Sequence, residues 1–126
     1  MLFRSEFFPG VDPVQARLGN PQAELSPKIL LVTPEQRLSW QVHSRRAERW
    51  VFLNDGGYYK STDPDNPGEL IHAKAGDVVQ FEAGKCHRLV GAPNNVTLVA
   101  EIWQHTDPEH PSDEDDIVRL QDDYKR

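Results

Sequence analysis

Ser39-Trp40-Gln41-Val42-His43-Ser44-Arg45-Arg46-Ala47-Glu48-Arg49-Trp50 decides the fold class, because its apolar residues recur with a period of two and not of 3.6. Successive strand side chains point to opposite faces. From residue 37 to 43, Leu38, Trp40 and Val42 therefore fall on one face, and Arg37, Ser39, Gln41 and His43 on the other. A second strand is expected over 48–53, with Glu48, Trp50 and Phe52 sharing a face.

The same reading extends outward. Residues 96–103 alternate, setting Val96, Leu98, Ala100 and Ile102 against Thr97, Val99, Glu101 and Trp103. Segments 28–32, 58–60, 70–73, 78–81 and 87–90 read as further short strands. Turn chemistry separates them: Asn54-Asp55-Gly56-Gly57, a loop over 61–68 with two prolines, Ala75-Gly76-Asp77, Ala83-Gly84-Lys85, and Pro93-Asn94-Asn95. Many short strands at regular spacing predict an all-β sandwich or barrel. Residues 1–27 carry Pro9, Pro13, Pro21 and Pro27 with little periodicity, and are expected to wrap the barrel as an arm. Residues 28–105 form the barrel core, and 106–126 an acidic linker and tail of the same domain. The run 106–116 reads as solvated and solubilising, while Ile117, Val118, Leu120 and Tyr124 dock the tail onto the body.

Composition narrows the function classes. A chain of 126 residues is one domain able to bury a core without disulfide staples. Cys86 is the single cysteine, which points to a reducing compartment, and no motif beside it activates the thiol. The net charge of -6 argues against nucleic acid as a general partner. No apolar run reaches the length of a membrane span, and residues 1–10 do not read as a signal peptide, so a cytoplasmic location is expected.

The chemistry concentrates in the opening stretch. Gln41 and His43 share a strand face, and a carboxylate (Glu48) and a second imidazole (His87) from neighbouring strands could complete a mixed nitrogen and oxygen site for a divalent metal. Trp40, Trp50 and Phe52 read as core aromatics. Arg45, Arg46 and Arg49 read as surface or dimer-contact residues, and His72, His105 and His110 as surface histidines.

These residues resemble a cupin: Gln41-x-His43, Glu48 and Gly56 form a first motif, and Gly76, Gly84, His87 and Asn94 a second. More narrowly, residues 28–126 resemble the cupin domain of type II phosphomannose isomerases, often fused to mannose-1-phosphate guanylyltransferase. Arg37-Leu38-Ser39, Arg46-Ala47-Glu48-x-Trp50, His87-Arg88-Leu89, Glu114-Asp115-Asp116-Ile117-Val118-Arg119 and Asp122-Asp123-Tyr124 carry that match. The resemblance implies a single jelly-roll barrel (a double-stranded β-helix) and a divalent ion, zinc, manganese, iron or nickel, at Gln41, His43, Glu48 and His87. It further implies interconversion of mannose 6-phosphate and fructose 6-phosphate, a small phosphorylated sugar being the partner. Such aldose–ketose chemistry passes through an enediol and needs a base, for which Glu48 or Glu101 is available. The phosphate calls for cations: Arg37 shares the Gln41 and His43 face, and Arg88, Lys28 and Arg119 stand at family-matching positions. A homodimer through edge strands or an exchanged arm is expected.

Departures stand beside the match. Ser44 and Arg45 replace consecutive histidines, Arg49 replaces a histidine before Trp50, Glu82 a proline, Glu35 a turn glycine, and Lys125 a glycine. No guanylyltransferase domain lies in these residues, so nucleotide-sugar synthesis is not expected of this chain alone. A non-catalytic metal- or sugar-binding cupin is the alternative of a different class. Metal-dependent oxygenation is a third, requiring a redox-active metal and a more apolar pocket.

Overall fold

Nine strands, all paired antiparallel, build two facing sheets in a computed structural model that describes residues 26–107 and 109–123. They are β1 (Lys28–Val32), β2 (Trp40–Val42), β3 (Arg46–Phe52), β4 (Gly56–Ser61), β5 (Ile71–Ala73), β6 (Val78–Phe81), β7 (Cys86–Gly91), β8 (Thr97–His105) and β9 (Val118–Gln121). One sheet has the order β1-β8-β3-β6 and the other β5-β4-β7-β2-β9. The chain crosses between sheets after every strand except β4, so most neighbours in sequence face each other across the interior. The expected arm lies outside the described residues except for its last two, Ser26 and Pro27.

The interior follows the period-two reading. Trp50 and Phe52 from β3 and Val99 from β8 meet Leu89 from β7, with Val32, Ala73, Val79 and Phe81 completing the cluster. Each such large side chain, fully buried, stabilises the fold by roughly 1.5–3 kcal/mol relative to exposure. Glu48 and Glu101 occupy the same inward rows, which places two carboxyl groups inside the barrel. The outward rows of β3 and β8 are buried too, at Ala47, Val51, Ala100 and Ile102, so these central strands are not half-solvated.

Three local features differ from the sequence reading. Gly56 is not a turn residue but the first residue of β4, where an added Cβ would meet Thr97 Cγ2 at 2.4 Å and Phe52 Cε2 at 3.1 Å. Its glycine serves close packing. The strand expected over 37–43 shrinks to three residues, Arg37 keeping only an isolated bridge to Val90, and a bulge between Trp40 and Gln41 shifts its register against β9. Trp40 is buried but sits outside the central cluster, its indole N–H donating to Pro64 O at 2.8 Å in the 61–68 loop. The tail does dock, but as strand β9 pairing with β2 through backbone: Val118 and Leu120 remain 57% and 37% exposed.

β1 and β9 are the outer strands of their respective sheets. A cleft of about 220 Å³ opens between them, lined by Lys28 and Leu30 on one side and Ile117 and Arg119 on the other.

Candidate metal centre

Glu48, which lines that cleft, is one of three side chains from both sheets that converge in the interior. His43 follows β2, Glu48 lies within β3, and His87 is the second residue of β7. One donor atom from each falls within 4.8 Å of the others, and all three residues are buried. His43 Nε2 is 3.2 Å from Glu48 Oε2, and His87 Nε2 is 3.3 Å from Glu48 Oε1.

The protonation states decide what these contacts mean. Burial, then the charge of Arg46, lowers His87 to about 3. His43 is lowered to about 3 by burial, then by Arg46 and His87. Both rings are therefore neutral near pH 7. His43 Nδ1 lies 2.6 Å from the backbone carbonyl of Asp116, which only accepts, so Nδ1 carries the proton and Nε2 turns a lone pair toward Glu48. His87 Nδ1 and Nε2 and Glu48 Oε1 are buried without a hydrogen-bond partner among the described residues. Arg46 already supplies a cation to His43 Nε2 and Glu48 Oε2, while Glu48 Oε1 and the His87 ring remain without a partner among the described residues. Donors about 2.1 Å from a metal are spaced roughly 3.0–3.4 Å apart, as the two histidine–Glu48 distances are. The nitrogen and oxygen set suits zinc, manganese, iron or nickel alike.

Two further groups complete the charge pattern. Arg46 Nε donates to Glu48 Oε2 at 2.8 Å, and its guanidinium lies 3.6 Å from the Trp103 ring centroid. Glu101 accepts from Trp50 Nε1 at 2.8 Å and Trp103 Nε1 at 3.0 Å. Burial first, then the Glu48 charge, pushes Glu101 up to about 8, so it holds its proton at neutral pH. Burial raises Glu48 as well, against the pull of Arg46.

The family described as mannose-6-phosphate isomerase C-terminal matches residues 20–122. The chain belongs to that family. Comparison with curated proteins finds no match. Solved structures agree on the fold. A Bacillus halodurans protein aligns at TM-score 0.59 and 11% identity, over 68% of this chain and 66% of its own. A Klebsiella pneumoniae protein with a double-stranded β-helix domain aligns at TM-score 0.58 and 16% identity, over 74% and 71%. A cupin 2 conserved barrel domain protein from Salinispora arenicola aligns at TM-score 0.55 and 18% identity, over 68% and 69%. The two sheets are thus the halves of a cupin barrel.

Within this mannose-6-phosphate isomerase C-terminal cupin, the structure sorts the sequence-predicted residues. Gln41 lines the cleft and opposes His87 in the β2–β7 register, its amide nitrogen donating to Ser39 Oγ at 3.0 Å. Glu101, Lys28 and Arg119 also line the cleft. Arg37 and Arg88 do not. Arg37 makes a two-bond pair with Asp123 at 2.6 and 3.0 Å. Arg88 is buried, donating to Leu38 O at 2.7 Å and, at 3.4 Å, to Gln121. Strand parity had given Arg37 a face but not a neighbour, and Arg88 rested on the family resemblance alone. The larger concavity of the molecule, about 440 Å³ around His72, Lys74 and Gly91, contains none of the metal donors.

Sequence reasoning missed the residues that support the centre. Arg46, expected on the surface, is 6% exposed, because it lies two residues before Glu48 and shares its inward face. The acidic run, expected to be solvated, folds over the site. Asp116 accepts from Ser44 N, Ser44 Oγ and Arg45 N at 2.9 Å each, and from Ser112 Oγ at 2.6 Å. Burial works to raise its carboxyl, but these donors hold it well below the usual carboxylate range. Ser112 N in turn donates to His105 Nδ1 at 2.9 Å, so His105 is half-buried and not a free surface residue. His110 is exposed, as expected.

Asp116→Ala should therefore act on the metal through His43. Removing a carboxylate that accepts four hydrogen bonds is expected to cost about 3 kcal/mol in urea unfolding. Freeing the His43 ring is expected to weaken zinc binding by about 10–100-fold, the usual range for groups that orient a ligand. Unchanged zinc affinity in a folded variant would show that the 112–117 segment does not position His43.

Proposed function

We propose that this chain is a metal-dependent isomerase of a phosphorylated sugar, interconverting mannose 6-phosphate and fructose 6-phosphate. The observation that carries the reading is the convergence of His43 Nε2, His87 Nε2 and the Glu48 carboxylate, the last of which lines a cleft shared with Glu101 and three cations, Lys28, Arg46 and Arg119. A divalent metal bound there supplies the polarisation of the carbonyl and hydroxyl oxygens that makes the intervening C–H acidic.

The chain's own residues divide the remaining work. Glu48 neutralises the centre and is engaged by Arg46, which leaves Glu101 to exchange the proton. A carboxyl raised to about 8 is matched to proton transfer near neutral pH, and the two indole N–H groups hold its orientation. Arg119 lines the cleft with no hydrogen-bond partner among the described residues and is the better phosphate anchor. Lys28 is already tied to Glu114 at 2.6 Å, so a phosphate there must displace a carboxylate.

The test is mannose 6-phosphate conversion by the purified chain with manganese, zinc, iron or nickel added separately. Metal-dependent turnover is expected, abolished by chelation and lowered at least a thousandfold in Glu101→Gln. Stoichiometric metal without turnover would favour the second reading, a cupin that binds metal or sugar without chemistry. That reading draws on Arg46, whose contact with His43 is unexpected in a working metal site.

A further inference from the structure

We propose that Arg46 is an internal competitor for the metal, and that the affinity of the centre is set by how readily this side chain releases His43. The inference rests on the metal-binding reading above.

Arg46 is held on every side. Its Nε donates to Glu48 Oε2 at 2.8 Å, its Nη1 to Ser112 Oγ and Asp113 O at 3.1 Å each, and its Nη2 to His43 Nε2 at 3.2 Å. The guanidinium plane packs on Trp103 at 3.6 Å from the ring centroid. A buried cation this well satisfied is not a surface residue turned inward by chance.

Two consequences oppose a metal. The lone pair of an imidazole nitrogen serves one partner at a time, and Nη2 is using the one that a metal on His43 needs. A fixed positive charge beside a divalent ion also repels it, and does so strongly where water is excluded. In return Arg46 compensates the Glu48 carboxylate, which allows the barrel to fold without its ion. Two of the remaining partners of Arg46, Ser112 and Asp113, come from segment 112–117, so the grip on His43 is also adjusted from that segment.

Isothermal titration calorimetry of zinc and manganese, at pH 8 with the whole chain, tests this in the wild type, Arg46→Gln and Arg46→Lys. Glutamine keeps a donor for Glu48 but removes the charge, and lysine keeps the charge but loses the planar reach. Arg46→Gln is expected to bind metal tenfold or more tightly than wild type. A gain in glutamine alone assigns the competition to charge, and a gain in both variants to the freed lone pair. An Arg46→Gln protein that binds no tighter than wild type overturns the proposal while leaving the metal centre intact. If wild type and both variants fail to bind, the metal reading itself falls and this one with it. Should Arg46→Gln not fold, zinc titration of the wild type followed by ¹⁵N–¹H signals of the arginine side chains gives the answer. The Arg46 resonances are expected to shift in step with occupancy; zinc binding that leaves them unmoved overturns the proposal.

Discussion

A His87→Leu variant is expected to lose metal binding by at least 100-fold and yet to melt at a higher temperature than the metal-free wild type. His87 is 2% exposed, and its ring is packed 4.7 Å from Phe81 and 5.3 Å from Trp50 by centroid. Neither ring nitrogen has a hydrogen-bond partner among the described residues. A buried polar atom left unsatisfied costs about 1–3 kcal/mol. Leucine has nearly the same volume and no polar atom, so the apolar wall formed by Phe81 and Trp50 accepts it. After packing adjustments the net gain should be about 1–2 kcal/mol, or about 3–8 °C in melting temperature. Thermal unfolding in chelator, beside metal analysis of the same samples, reads both effects. A variant that melts below the chelated wild type would mean that the His87 nitrogens contribute stabilising bonds, which removes the argument that they are reserved for an ion.

The metal-free protein should also show a stability maximum near pH 6.5. His43 and His87 are lowered from 6.5 to about 3, chiefly by burial. Below pH 6.5 the unfolded chain takes up protons that the folded chain refuses, so stability falls as pH drops toward 3. Two such groups give a slope of up to about 2.7 kcal/mol per pH unit. Glu101 acts in the opposite sense. Raised from 4.5 to about 8, it keeps a proton in the folded state that the unfolded state has released. Its contribution is complete below pH 4.5 and is lost as pH rises to 8, at up to about 1.4 kcal/mol per unit. Between 4.5 and 6.5 the histidines outweigh it, and above 6.5 it acts without them. The upward shift of Glu48 adds to the alkaline loss. Urea unfolding in chelator across pH 4–9 measures the curve. A flat profile between pH 4.5 and 6.5 would show that the two rings are not held neutral.

The strands were legible because a barrel wall imposes alternation on every segment that builds it. Trp50, Phe52 and Val99 point inward as their parity requires. Parity failed where backbone, and not side chains, made the structure. β9 joins β2 through its ladder with exposed apolar side chains, so nothing in its composition marked it as a strand. Within β2 the register shift at Trp40–Gln41 is a bulge that no residue type announces. Glu35, standing where related sequences favour glycine, adopts φ 63°, a left-handed conformation that penalises its Cβ. That departure was visible in the sequence; its backbone consequence was not.

The candidate site divides in the same way. His43, Glu48 and His87 could be grouped from residue type and strand order, and the fold brings them together. Arg46 was equally legible, since residues two apart in a strand share a face, but an arginine between polar neighbours reads as solvated. Asp116 was not legible. It meets His43 across 73 residues through a segment without periodicity, and charge density argued for solvent. Arg37 and Arg88 lie away from the cleft lining, because neither a shared face, for Arg37, nor a matching position, for Arg88, fixes which partners lie within reach.

That separation of 73 residues has a consequence during synthesis. Synthesis from the N-terminus brings every candidate metal donor, His87 being the last, out of the ribosome before residue 116, whose carbonyl sets the His43 tautomer. Until residue 116 emerges, His43 is free to present either nitrogen, and Arg46 lacks Ser112 and Asp113. A nascent barrel is thus a poor scavenger of ions, and a message truncated ahead of this segment would yield the donors without the means to aim them.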